Sequence, residues 1–182
     1  FADNMIYIKS DYNEIYSHGA DIRTVSEDAS KPERTLSVRI VSPTKQYSNN
    51  QIVVNIPNVR KPVPLFIVFR ALGVISDREI IEYCLLDLEE NSSMIDLFIP
   101  SIHDAGKIFA QETALEYIKT FTKGHTTSFV LEILMNYFLP NVGELNFQQK
   151  AYSLGYIVNS LLLVFTKLIM MSTFENDFFL CS

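Results

Sequence analysis

Three prolines, Pro57, Pro62 and Pro64, stand where the hydrophobic period of this 182-residue chain changes, and they limit what can lie on either side. Proline cannot donate to a sheet ladder, fixes its own φ and pushes the preceding residue towards extended backbone. Neither a central strand nor a helix interior can therefore run through this stretch. Upstream, Leu36, Val38 and Ile40 alternate with Ser37, Arg39 and Val41, the pattern of a half-buried strand. Ser42-Pro43 ends it, Thr44 to Asn50 reads as a polar loop, and Gln51 to Ile56 is a second β-branched run, which together predict a hairpin. Leu65 to Phe69, just past the prolines, is short and almost continuously apolar, which predicts a strand or extended segment buried on both sides.

Beyond Gly73 the period is helical. Ser76 followed by Glu79 is a capping-box pattern, and Ile80, Ile81, Cys84, Leu85 and Leu88 recur behind it at helical spacing. Asp77 and Glu79 sit where the helix dipole favours negative charge, while Glu89 and Glu90 mark the helix exit and face water. Ser93 is placed to cap a short helix that carries Leu97 and Phe98 up to Pro100. Ala114, Leu115 and Ile118 form a stripe ending near a C-cap at Lys123-Gly124. Ser128 opens the next helix, whose Leu131, Leu134, Met135 and Phe138 face inward until Pro140. Asn146 with Gln149 makes another cap pair, followed by the long apolar face of Ala151, Leu154, Val158, Leu161, Leu162 and Phe165. Strands first and helices afterwards predict an α+β domain: N-terminal antiparallel strands or a hairpin, then a bundle of about five helices.

At 48% hydrophobic and 20% charged residues the composition excludes a disordered tail and a coiled coil, and the length suits one domain with a core that needs no staple. Cys84 and Cys181 do not amount to a disulfide framework. No basic-then-apolar start resembles a signal peptide, and an opening Phe1 rather than Met suggests a piece of something longer. Leu161 to Met171 is apolar apart from Thr166 and Lys167, too short for a membrane span of about 20 residues.

Charge is unevenly spread. The chain carries −6 overall, yet Lys31 to Arg78 holds eight basic residues (Lys31, Arg34, Arg39, Lys45, Arg60, Lys61, Arg70 and Arg78) against Glu33 and Asp77. A basic face gains from counterion release beside a polyanion, whereas a solvated sheet with Lys and Arg at its exposed positions is the plainer reading.

Residues that could carry chemistry are scattered. His18, His103 and His125 have no second His or Cys at metal-ligand spacing, and Gly106-Lys107 lacks the upstream glycine and following hydroxyl of a phosphate loop. Asp87, Glu89 and Glu90 do not share one helix face. No nucleophile elbow is present, and Cys84 falls on an apolar stripe that marks it as core. Asn91-Ser92-Ser93 fits a glycosylation acceptor without other support for a secreted protein. On these residues no catalytic, cofactor-binding or metal site is assigned.

One block bears a family resemblance. Ile52 to Ile81 contains Ile56-Pro57, Val63-Pro64-Leu65, Phe69-Arg70-Ala71-Leu72-Gly73 and Ser76-Asp77-Arg78-Glu79-Ile80, and it resembles the lobe domain (domain 2) of the second-largest subunit of multisubunit DNA-directed RNA polymerases. Ala20 to Arg23, Leu36 to Ile40, Glu112 to Ile118, Leu134 to Val142 and Ala151 to Leu163 are similar to further blocks of that domain, in order. The resemblance divides the chain into residues 1–19, leading in from a neighbouring protrusion domain, the lobe at 20–165, and an atypical apolar tail at 166–182. Its structural signature is Pro57, Pro64, Phe69, Arg70, Leu72, Gly73, Asp77 and Glu79.

The resemblance implies a non-catalytic structural and docking domain that flanks the DNA cleft and meets other polymerase subunits and initiation or elongation factors. Nucleotidyl transfer, with its Mg2+, would belong to the holoenzyme, with no cofactor bound by this chain and neither a membrane nor a small-molecule substrate as partner. Arg60 and Lys61, held between Pro57 and Pro62, are the residues expected near DNA phosphates, in weak contact with the backbone. Arg70, embedded in apolar sequence, is expected to pair with a carboxylate and tie elements together rather than touch DNA. The alternative is a free-standing, polymerase-derived module that binds a transcription factor. The Ile- and Asn-rich bias suits an AT-rich eukaryote or a large DNA virus, hence an intracellular protein: nuclear if cellular, in a virion or cytoplasmic factory if viral. After Leu163 the chain departs from the family pattern, and Ser160 stands where the family has Arg.

Overall fold

The computed structural model describes residues 6–10, 12–24, 34–42, 50–143 and 145–181, with side chains of the last helix described as far as residue 167. Most of the Thr44–Asn50 loop, Lys31, Glu33, Lys45 and the side chains of the 168–182 tail, Cys181 included, lie outside the described residues. Among the described residues there are five strands and six α-helices, an α+β fold.

The strands are β1 (Ile6–Ser10), β2 (Tyr16–Thr24), β3 (Arg34–Val41), β4 (Ile52–Asn55) and β5 (Val63–Pro64). They pair antiparallel in chain order, a meander. The predicted hairpin is β3–β4, with Val38 opposite Val54 and Ile40 opposite Ile52. Ala20, Ile22, Leu36, Val38, Ile40, Ile52 and Val54 line the inner face and are fully buried. The outer face of β3 departs from the half-buried expectation, because Ser37, Arg39 and Val41 are buried too. Tyr12 covers this face at Arg39: the guanidinium lies 3.8 Å from the Tyr12 ring centre, donates to its hydroxyl at 2.8 Å and pairs with Asp21 at 3.1 Å.

The segment Leu65 to Phe69 is not a strand. It is most of helix α1 (Leu65–Ala71), and all seven residues of that helix are buried. A helix buried all round is apolar all round and shows no amphipathic period, so a run of this kind cannot be told from a buried strand by pattern. Pro64 precedes its first turn, where no N–H partner is needed. Gly73, at φ +98°, ends it, with its N–H donating to the Arg70 carbonyl.

Helices α2 (Asp77–Leu85), α3 (Ile99–Asp104), α4 (Gln111–Lys119), α5 (Thr127–Asn136) and α6 (Phe147–Cys181) follow. Ser76 caps α2 by accepting from the Glu79 N–H at 3.1 Å. That helix stops before Leu88, because Leu86 takes φ +67° and the Asn91 amide donates to the Leu85 and Asp87 carbonyls. Ser93 is not a cap but lies inside a 3-10 helix, Ser92–Phe98, and Pro100 opens α3 rather than closing its predecessor, as a first-turn proline can. The Lys123-Gly124 C-cap is also displaced, since α4 is over at Lys119 and Gly124 packs instead against the Phe129 ring. Thr126, not Ser128, caps α5, accepting from the Phe129 N–H at 3.1 Å. That helix ends at Asn136, so Phe138 packs in the core from beyond it and Leu131 is only half-buried. Asn146 does cap α6, accepting from the Gln149 N–H at 3.3 Å.

Helix α6 covers β1 and β2 and packs on α2, while α1 covers β4 and β5 and meets α2, α3 and α4. The core is continuous from sheet to helices, with Phe66, Phe69, Phe98 and Phe138 among its largest wholly buried side chains. Among the described residues no helix is long and apolar enough to cross a membrane.

Candidate nucleic-acid interface

The turn between β4 and β5 carries Arg60 and Lys61, both exposed. Pro57 opens it, the Val59 N–H donates to the Ile56 carbonyl at 3.2 Å, and Asn58 takes φ +68°. The Arg60 N–H then donates to the Phe121 carbonyl at 2.9 Å, fixing this turn against the one that follows α4. The Lys61 ammonium stands 5.3 Å from the Phe121 ring centre, a cation–π distance. Burial raises the pKa of the neighbouring Asp104 carboxyl, and the Lys61 charge pulls it back down. This arrangement presents two cations from a fixed backbone.

Arg70 does something different. Its side chain is 3% exposed. Nε donates to the Ile75 carbonyl at 3.0 Å, one terminal nitrogen donates to the Ile108 carbonyl at 2.8 Å, and the other is ion-paired with Asp77. The rings of Phe66 and Phe109 lie 5.7 and 5.4 Å away. One guanidinium thus joins α1, the first turn of α2 and the irregular link before α4. Around it Phe69 and Leu72 are core, Pro64 is buried, and Glu79 stands in the first turn of α2. Of the signature residues, Arg70 and Asp77 thus meet in a joint beside the buried Pro64, Phe69 and Leu72, whereas Gly73 and Glu79 are exposed.

The basic stretch does not form one face. Of its described members Arg39 and Arg70 are buried and internally paired, and Arg34 lies over the Tyr137 ring at 4.5 Å. Arg78 pairs with Glu82 at 3.0 Å on α2. Only Arg60 and Lys61 remain exposed without a carboxylate in ion-pair range among the described residues. Linear charge counts weigh every arginine equally, whereas a buried guanidinium spends its charge inside the fold.

Elsewhere, Cys84 is wholly buried and burial pushes its thiol pKa far up. His18 is buried against the Phe165 ring at 5.0 Å, and His103 and His125 are exposed in separate places. Asp87 accepts the Glu89 and Glu90 N–H groups, which makes it a turn cap. The Asn91 amide of the glycosylation pattern is committed to the end of α2. Among the described residues no group of three or more His, Cys, Asp and Glu could hold a metal ion.

Two further residues matter to the fold. Lys150 is wholly buried, and its ammonium donates to the Leu134 and Met135 carbonyls at 2.6 and 2.9 Å, capping the last turn of α5. Gly155 lies so close to α2 that a side chain there would overlap the Tyr83 carbonyl. A lysine within the polar first turn of α6 gives no hint of burial, although Gly155 has a clue in its place within an otherwise good helix sequence.

Sheet, buried joint and exposed cationic turn define a class: a helix-backed α+β domain in which Arg39, Arg70 and Lys150 are buried and bonded internally. The whole sequence names the family, since residues 4–171 match the model of RNA polymerase Rpb2, domain 2, and the chain belongs to that family. It is 36% identical over 172 residues to the DNA-directed RNA polymerase II subunit RPB2 of Encephalitozoon cuniculi, which covers 90% of this chain and 14% of that protein. The Arabidopsis thaliana DNA-directed RNA polymerase II subunit 2 is 33% identical over 172 residues, 88% of this chain and 14% of that protein. The DNA-directed RNA polymerase subunit Rpo2 of Saccharolobus solfataricus is 26% identical over 135 residues, 70% of this chain and 12% of that protein. The chain thus spans about one seventh of the length of the relatives it matches most fully.

Proposed function

We propose that this chain serves as the lobe of the second-largest subunit of a DNA-directed RNA polymerase, a structural and docking domain beside the DNA path. The observation that carries this reading is that the family match runs through sheet, buried joint and helices alike, residues 4–171, with no part of the described core left over as a separate unit. Its partners are other polymerase subunits, transcription factors and, through Arg60 and Lys61, the phosphates of DNA. Nucleotidyl transfer and its Mg2+ belong to other parts of the enzyme in this proposal, so this chain's contribution is position and rigidity. The eukaryotic RNA polymerase II relatives support a nuclear location.

The test is association. Tagged in its native gene product, the chain should co-purify with the largest polymerase subunit and with promoter-independent RNA synthesis activity. A product that purifies alone, with the polymerase intact without it, would defeat the proposal and favour a free-standing module.

A further inference from the structure

We infer that the cationic site is composite: Lys123, from the turn after α4, completes a three-cation corner with Arg60 and Lys61 that grips the phosphodiester backbone of duplex DNA. This rests on the scaffold reading above and adds a residue which the local sequence around Arg60 does not contain.

The two turns lie about sixty residues apart in the chain, and the fold fixes them side by side. Phe121 is the fulcrum. Its carbonyl accepts the Arg60 N–H at 2.9 Å and lies 3.5 Å from Arg60 Nε, and its ring stands beneath the Lys61 ammonium. Phe121 is itself anchored, since its N–H donates to the Ile118 carbonyl at 3.0 Å and its ring packs edge-on to Tyr117 at 5.3 Å. Two residues on, Lys123 is exposed, in a turn held by the buried Thr122, whose hydroxyl donates to the Lys119 carbonyl at 2.9 Å and accepts the His125 N–H at 3.3 Å.

The charge balance of the corner is positive. Lys119 is neutralised by Glu116, and Asp104 faces Lys61. Arg60, Lys61 and Lys123 have no ion-pair partner among the described residues. Three exposed cations on two cross-braced turns, in a chain that is acidic overall, make a local surface fitted to a regular polyanion. The contacts are to backbone only, so they carry no sequence preference.

The experiment uses polymerase assembled with the full-length subunit, a duplex DNA oligonucleotide as probe, and affinities measured across about 50–200 mM salt. Removing one cation from a phosphate lowers the slope of log affinity against log salt by about 0.9. Lys123→Gln should therefore flatten the slope by about 0.9, and Arg60→Gln with Lys61→Gln by about twice that. Arg78→Gln, which removes a cation paired on α2, should leave it unchanged. If the Arg60 and Lys61 variant flattens the slope while Lys123→Gln does not, the composite corner is wrong and the original two-residue contact stands. If neither does, both fail. If Arg78→Gln flattens it equally, the effect is diffuse charge, and the corner is likewise rejected.

Discussion

Lys150 donates its ammonium to the Leu134 carbonyl at 2.6 Å while wholly shielded from solvent, so the first turn of α6 caps the last turn of α5. Carbonyls at a helix end have no intrahelical partner, and a buried pair of them must find a donor elsewhere.

Lys150→Met keeps the length of the side chain and removes the donor. It should destabilise the fold by about 1–3 kcal/mol through the unsatisfied Leu134 and Met135 carbonyls. Denaturant unfolding measures this, and an unchanged midpoint would show that another donor had taken over.

Gly155→Ala places a methyl group against the Tyr83 carbonyl. Because the obstacle is backbone, α6 has to move off α2, at a cost of about 1–3 kcal/mol or more. The rings of Tyr83 and Tyr152, 4.5 Å apart across the same contact, should separate with it. A lowered melting temperature with altered tyrosine fluorescence is the expected result.

Arg70→Ala strips two carbonyls and the Asp77 carboxylate of one shared donor. Asp77 is partly exposed and can rehydrate, so the loss falls mainly on the Ile75 and Ile108 carbonyls, about 2–4 kcal/mol together. Arg70→Lys should recover little, since an ammonium cannot reproduce the guanidinium's planar fork. Weaker DNA binding at full thermal stability would contradict the joint and restore Arg70 as a contact residue.

Cys84 titrates far higher folded than unfolded because burial disfavours its thiolate. The folded state therefore holds this proton when the unfolded chain has begun to lose it. The sign follows: stability is unaffected by this group below about pH 8.5, and falls as pH rises beyond that value. Cys84→Ala should remove that part of the alkaline decline, and the native thiol should resist iodoacetamide until denaturant is added.

Local chemistry is legible in part, since Ser93, Lys123-Gly124 and Ser128 are not the caps their neighbourhoods predict. The Ser76–Glu79 cap, the Asn146–Gln149 cap and the β3–β4 hairpin each depend on residues a few positions apart, and each is found. Helix α1 reads as a strand because total burial erases the difference between periods 2 and 3.6. Strand β2, with His18, Gly19 and Asp21 among its residues, gives almost no alternation and shows itself through its pairing with β1 and β3. The cationic turn is visible as Arg60 and Lys61, whereas its neighbour Lys123 becomes a candidate only through the bond from Arg60 to Phe121. Burial decides the rest: Arg39 and Lys150 look like surface residues in a sequence and are not.

The meander has a consequence for biosynthesis. Every ladder of the sheet is available for pairing once Pro64 has emerged from the ribosome, because each strand bonds only to its chain neighbours. The cover over β1 and β2, however, is α6, which begins at Phe147. At about 5–20 residues per second the nascent chain spends roughly 4–17 s with that wall of Ala20, Ile22 and their neighbours uncapped. Translation speed through the helical half thus sets how long a sticky half-domain is offered to chaperones, or to other nascent chains on the same message.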